Sequence, residues 1–293
     1  MSDPSLSSLF LEACEDDDLS AMAEFIDLGL DINAEISSVR ALPLQCAVSL
    51  DASQMLLEMG ADPNAKTWHG ESPMLLACRD NELDIVRLYE RFGGDFAKLS
   101  GHGSNCLHKC AAGGAAGVMQ YILDKGLIDI DARAKKVKKT PLHFASYFGH
   151  LDCVSLLLDA GANLELRDSE GRNALDLAAE GARVDCMRLL LDRGATLAGD
   201  QLQKDSVLYH ACRAVQPDAA FFVMDELGIA ADATVAGKTL LQHFALNSSA
   251  KERIRERLRQ LCAQQLSGDL SALFDEGVKA TPKPSRKAGS LSL

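Results

Sequence analysis

Thr140-Pro-Leu-His-Phe-Ala145 opens the most informative stretch of the chain, which runs on to Gly171. A threonine before a proline reads as a helix N-cap followed by the first helical residue. The hydroxyl accepts from a free backbone N–H, and proline has none to leave unsatisfied. A short helix is therefore expected from Pro141. After a break at Gly149-His150, Leu151, Val154, Leu157 and Leu158 recur at helical spacing and predict a second helix with one apolar face. Gly161-Ala162 supplies the glycine that ends that helix. Asp168-Ser-Glu-Gly171 is then a tight polar turn leading into the next cap, Asn173.

The same grammar repeats along the chain. Asn173-Ala-Leu-Asp-Leu-Ala178, Ser206-Val-Leu-Tyr-His-Ala211 and Thr239-Leu-Leu-Gln-His-Phe244 follow at intervals of 33 residues. Asn105-Cys-Leu-His-Lys-Cys110, Ser72-Pro-Met-Leu-Leu-Ala77, Leu42-Pro-Leu-Gln-Cys-Ala47 and Ser8-Leu-Phe-Leu-Glu-Ala13 precede it. A period of this length signals stacked supersecondary units, each of which buries its apolar face only against its neighbours. Glycines at 29, 60, 93, 126, 194 and 228 match Gly161.

The unit resembles the ankyrin repeat, whose Thr-Pro-Leu-His-x-Ala box stands intact at Thr140 to Ala145. The resemblance implies an all-α ankyrin-repeat solenoid of stacked helix-turn-helix units with projecting loops. About eight units are expected, starting near residues 8, 42, 72, 105, 140, 173, 206 and 239. The expected organisation is a flexible N-terminus over 1–7, the repeat domain over 8–266, a short helical cap over 267–276 and a disordered basic tail over 277–293. Lys251 to Leu261, with Ile254, Leu258 and Leu261 on one face and arginines on the others, reads as the polar-backed helix that closes the stack. Two units break the pattern. The unit at Leu42 is short between Ala47 and Gly60, so one of its helices or turns is clipped, and the loop Asp131 to Lys139 is long and lacks glycine.

Composition sets limits. With 30 Lys and Arg against 42 Asp and Glu the chain carries a net charge of −12, which makes a phosphate backbone a poor default partner. The start has no basic region and no apolar run reaches the roughly 20 residues that span a bilayer, so a soluble chain is expected. Nine cysteines without a Cys-x-x-Cys pair read as free thiols of a reducing cytoplasm or nucleus.

Catalysis is not expected, and neither is a cofactor or a metal. Cys106, His108 and Cys110 are spaced at i and i+2 on a helix start, where successive members point about 200° apart and do not converge on one ion. Cys106 and Cys110 replace the proline and alanine of the box, and His108 is its structural histidine, bonding between loops. Cys153 and Cys186 read as small core residues of second helices.

Binding is expected instead, on a concave surface of first helices and loop tips. The resemblance implies that the exposed positions are Trp68 and His69 with Lys66 and Glu71, then Arg79 and Asp80, His102, Tyr147 and Phe148, Ser169 and Glu170, and Glu15 and Asp16. Trp68, Tyr147 and Phe148 would form an apolar strip flanked by Arg79 and Asp80, suited to a protein surface. Alternatively, Trp68 folds back to fill space over the clipped unit, and Phe148 packs between first helices. A second candidate is the basic loop of Arg133, Lys135, Lys136, Lys138 and Lys139, a docking site for an acidic partner, anionic lipid or RNA, a nuclear-import signal, or else simply a solvated loop. The leading expectation is an adaptor or scaffold for other proteins, monomeric on its own. Nucleic-acid or lipid binding and a regulatory subunit of an enzyme are the alternatives.

Overall fold

The computed structural model describes residues 4–36, 39–195, 207, 210–211, 218–225, 234–235, 238–239, 253 and 256. The chain divides into two compact units, Met1–Gly199 and Asp200–Leu293. That boundary falls at the seam between the sixth and seventh sequence units, inside the stretch expected to be one array.

The first unit is a row of helix pairs: α1 (Pro4–Glu15) with α2 (Leu19–Asp27), α3 (Pro43–Cys46) with α4 (Leu50–Glu58), and α5 (Pro73–Arg79) with α6 (Leu83–Arg91). It continues with α7 (Cys106–Gly113) and α8 (Ala116–Lys125), α9 (Pro141–Phe148) and α10 (Leu151–Asp159), and α11 (Ala174–Glu180) and α12 (Val184–Asp192). First helices α5, α7, α9 and α11 lie side by side, and second helices α2 to α12 form the other layer. The seventh and eighth sequence units fall largely outside the described residues.

Local chemistry starts each first helix as expected. Ser72, Asn105, Thr140 and Asn173 accept from the backbone N–H three residues on. At α3, which has no polar cap residue, Gln45 Oε1 takes the Leu42 N–H at 2.8 Å. Gly29, Gly60, Gly93, Gly126, Gly161 and Gly194 all adopt positive φ where second helices end. The helix expected near Ser8 begins instead at Pro4, because proline at the first turn needs no N–H partner and its φ is preset for a helix. Residues 4–7 therefore belong to α1, not to a flexible N-terminus. On α10, Leu151 is 42 % exposed, and Cys153 lies with Val154 and Leu157 on the buried face.

The core is aliphatic: Met22, Leu56, Met74, Leu75, Leu107, Met119, Ile122, Leu142 and Leu157 are fully buried. An asparagine ladder ties the units together. Asn33 accepts from the Asp62 N–H (2.8 Å) and donates to the Gly60 carbonyl (3.0 Å), and Asn64 does the same with Asp95 (2.9 Å) and Gly93 (2.8 Å). In the second unit, Val207, His210 and Ala211 are buried helical residues and α13 spans Asp218–Asp225. There β1 (Thr234–Val235) pairs antiparallel with β2 (Lys238–Thr239). Arg253 is helical and exposed, its guanidinium 5.9 Å from the Phe221 ring. The remainder of the expected closing helix, the cap at 267–276 and the tail at 277–293 lie outside the described residues.

Gly113, in the last turn of α7, lets α7 approach α5 closely, since a Cβ there would collide with the Arg79 carbonyl. Helix propensity alone favours alanine over glycine by about 1 kcal/mol, but forcing atoms into a packed contact costs about 1–3 kcal/mol. Gly113→Ala is therefore expected to lower the urea midpoint. A raised midpoint would mean that α5 and α7 can separate at little cost.

Candidate binding surface

The box histidines are structural. His143 Nδ1 accepts from the Thr140 N–H (3.1 Å) and its Nε2 faces the Arg172 carbonyl (3.1 Å). His108 repeats the arrangement with Asn105 (3.3 Å) and the Lys139 carbonyl (3.1 Å). Each ring thus closes its own cap and holds the loop of the next unit. Burial pushes both down to about 4, so both are neutral and have both nitrogens engaged. Cys106, Cys110, Cys153 and Cys186 are buried, and burial pushes the Cys153 and Cys186 thiols up to about 11, which suppresses the nucleophilic thiolate. Among the described residues no three His, Cys, Asp or Glu are placed to hold a metal ion.

The loop tips are narrow hairpins, closed by Thr67 N–H to Glu71, Ser100 to Ser104, Ala134 to Lys139 and Asp168 to Arg172. The tip of the first of these carries Trp68, which is 64 % exposed. Its N–H donates to Glu35 (2.7 Å), its ring lies 3.6 Å from that of His69, and the Arg40 guanidinium sits 5.0 Å from its centroid. Trp68 therefore touches the loop of the clipped unit through Arg40 and still offers most of its ring to solvent. A second cluster stands at the end of α9. Tyr147 and Phe148, 36 % and 41 % exposed, meet edge to face at 5.2 Å, and Phe148 stacks on His150.

Trp68 lies before α5 and Tyr147 at the far end of α9, with α7 between, so about two helix spacings of 8–10 Å separate them. Arg79 and Asp80 are exposed but paired to each other at 2.7 and 2.9 Å. His102 and Ser169 are exposed at loop tips; Lys66 just before the Thr67 hairpin, Glu15 at the end of α1 and Asp16 in the turn after it are exposed too. Glu170 is exposed and reaches Arg172 (2.9 Å), which also binds Asp168 and Glu180. Glu71 is drawn away from the tip by Lys109 (2.6 Å).

The basic loop is likewise divided. Lys135, Lys136 and Lys138 are exposed, and Lys138 takes the left-handed conformation (φ 53°) that glycine fills at Gly70 and Gly171. Arg133 turns back to the carbonyls of Lys138 and Arg167. Lys139 packs against Tyr147, its Nζ 5.3 Å from the ring, and burial followed by the Arg172 charge lowers its pKa. Four of the five charges thus stay exposed, Arg133 with its guanidinium tied to the loop backbone, and Lys139 is half-buried.

Several bridges escaped the sequence reading. His150 Nε2 faces the Ala112 carbonyl (3.1 Å), Asn81 accepts from the Val118 N–H (3.0 Å) and Arg183 donates to Tyr147 (3.2 Å). All three sit in the turns between paired helices and reach across to an adjacent unit. A side chain at that recurring turn position was the available signal.

The family profile described as "Ankyrin repeats (3 copies)" matches residues 107–201. The human "Inhibitor of Bruton tyrosine kinase" is 40 % identical over 75 residues, which is 26 % of this chain and 6 % of that protein. The Caenorhabditis elegans "E3 ubiquitin-protein ligase hecd-1" is 35 % identical over 157 residues, 53 % of this chain and 5 % of that protein. The chain thus spans a small fraction of the length of these relatives. The crystal structure of the ankyrin repeat domain of Bcl-3, described as a unique member of the IkappaB protein family, superposes with a TM-score of 0.56 at 25 % identity, covering 72 % of this chain and 96 % of that one.

The histidine bridges carry a pH dependence. Both rings have a folded pKa below the unfolded value of about 6.5, so the unfolded chain binds more protons and stability falls as pH drops from about 6.5 toward 4. His143→Gln keeps a cap acceptor, as Gln45 does, but removes the titration and the contact to Arg172. The variant is expected to be about 1 kcal/mol less stable at pH 7, and to lose roughly 2 kcal/mol less than wild type between pH 7 and pH 5, in urea melts at each pH. Equal acid sensitivity in both proteins would refute this assignment.

Proposed function

We propose that this chain, which carries ankyrin repeats, is a non-catalytic adaptor or scaffold that holds a partner protein on the face made by its first helices and loop tips. The observation that carries the reading is the exposure of three rings, Trp68, Tyr147 and Phe148, in an array that buries Phe10, Tyr89 and Phe96. Exposed aromatics are costly to leave in water and are the residues that most often dominate binding energy. Two separated clusters fit a partner that lies along several units rather than one small ligand. The printed names of the relatives, a kinase inhibitor and a ubiquitin ligase, describe proteins that act on other proteins, which supports an interaction role. Neutral, fully engaged histidines and thiols of raised pKa support the absence of catalysis. The seven described cysteines are all free thiols, which fits a reducing cytoplasm or nucleus.

A second reading rests on Lys135, Lys136 and Lys138, which are exposed together at one hairpin and suit an anionic partner such as RNA or a lipid surface. Lys138 stands left-handed where Gly70 and Gly171 do, as Arg40 does in the hairpin closed by Ile36 and Ala41.

Affinity capture with the wild-type chain, with Trp68→Ala plus Tyr147→Ala, and with Lys135, Lys136 and Lys138 all changed to Ser separates the two. Protein partners that survive moderate salt and lose about 2 kcal/mol or more with the aromatic variant are the expected result. Captured RNA or lipid that elutes at low salt and disappears with the lysine variant would replace the adaptor reading with the second one.

A further inference from the structure

The clipped unit leaves a groove that its neighbours do not have. Helices α5, α7, α9 and α11 run seven or eight residues, whereas α3 stops after four, and the chain continues extended from Ala47 (ψ 123°). Without its last turn, α3 does not cover the side of α5 that carries Pro73, Leu76, Ala77 and Asp80, residues spaced i, i+3, i+4 and i+7 on one helical face. A groove of about 590 Å³ results, within the size range of sites that enclose a small ligand or a few side chains.

Its chemistry is mixed in a particular way. Val48 is 65 % exposed and Leu50 44 %, and Leu76, Leu83 and Ile85 add partly covered apolar surface. The lining also holds Asp80, Glu82 and Asp84, all exposed. Asp51 follows Leu50, and Asp17 accepts from the Ser49 hydroxyl at 2.7 Å, which brings the acidic Glu15 to Asp18 turn alongside. Local cations offset part of this and leave Glu82, Asp51 and the Asp17 turn in excess. Arg79 is paired with Asp80, and Arg87 stands 3.9 Å from Asp84. Burial, with Asp80 beside it, raises the Glu82 carboxyl pKa, in keeping with negative charge in excess. Phosphate-bearing partners are repelled by such a rim, while a cation bracketing an aliphatic side chain would satisfy both parts of it.

We propose that this groove is a docking site for a partner protein's extended peptide segment in which leucine-like side chains are flanked by lysine or arginine. The apolar side chains cover Val48 and Leu50 and fill the space of the missing α3 turn, and the flanking cations face Glu82, Asp84 and the Asp17 turn. The site lies on the edge of helix-to-helix turns, apart from the hairpin tip that carries Trp68, and it stands whether or not the aromatic clusters bind.

The test is fluorescence anisotropy with a labelled peptide carrying a central leucine pair flanked on each side by two lysines, titrated with the full chain. Binding is expected to weaken about tenfold, near 1.4 kcal/mol, with Val48→Ser, with Glu82→Gln plus Asp84→Asn, and with serines in place of the peptide leucines. Trp68→Ala leaves it unchanged, which separates this site from the aromatic surface. The proposal is overturned by no binding, by equal affinity for the leucine-free peptide, which would mark unspecific attraction to an acidic chain, or by indifference to Val48→Ser. All the substituted residues are exposed, and the urea midpoint of each variant confirms that it is folded.

Discussion

The hydrogen bond from a box histidine to the backbone of the following loop is the contact on which the array depends. A pair of short helices cannot bury its own apolar face, so each unit is stable only when held against the next one. His108 and His143 provide that hold at the loop side: each ring closes the cap of its own helix and takes a carbonyl of the next unit, Lys139 or Arg172. The asparagine ladder at Asn33 and Asn64 repeats the principle near the ends of second helices, and His150, Asn81 and Arg183 repeat it in the turns. The layers of the array are therefore pinned by directional bonds in three places, with aliphatic packing between them.

Departures from the repeat are informative against this background. Gln45 serves the cap at Leu42, yet its Nε2 is buried without a partner, so the clipped unit lacks the bond that the histidines make. Among the described residues the same unit has the shortest first helix, and it carries two exposed aliphatic side chains, Val48 and Leu50. Weak coupling and open apolar surface coincide there, as expected where a missing turn removes both a neighbour and the water-excluding cover it provides. The long loop between α8 and α9 departs in the other direction. Its added residues fold into a hairpin that half-buries Lys139 and ties the exposed Arg133 to backbone carbonyls.

Much of the site was legible one residue at a time and little of it as a surface. Exposure of Trp68, Arg79, Asp80, His102, Tyr147 and Phe148 followed from their place in the repeat, because those positions recur outside the packed faces. Their company did not. Arg40 over Trp68, Lys109 holding Glu71, Lys139 against Tyr147 and Arg172 reaching Glu170 each join residues from different elements, and their meeting depends on how far apart successive loops stand. For the same reason, an apolar strip drawn by listing aromatic residues in order divides into two clusters once the intervening helix is given its width.

The sequence by itself determined the starts of the first helices from Pro43 to Ala174, though not that of α1, and with them the glycines that end second helices, the repeat period and the aliphatic core. Caps, left-handed termini and apolar periodicity are settled by residues within a few positions of one another. It also marked where the pattern fails, at Leu42 and at Asp131. Only the tertiary structure decided what those failures become: a groove rimmed by carboxylates in one case, a folded hairpin with three outward lysines in the other. A surface is made by the spacing between units, and that spacing is set by side chains bonding to a backbone some thirty residues away, beyond the reach of any local pattern.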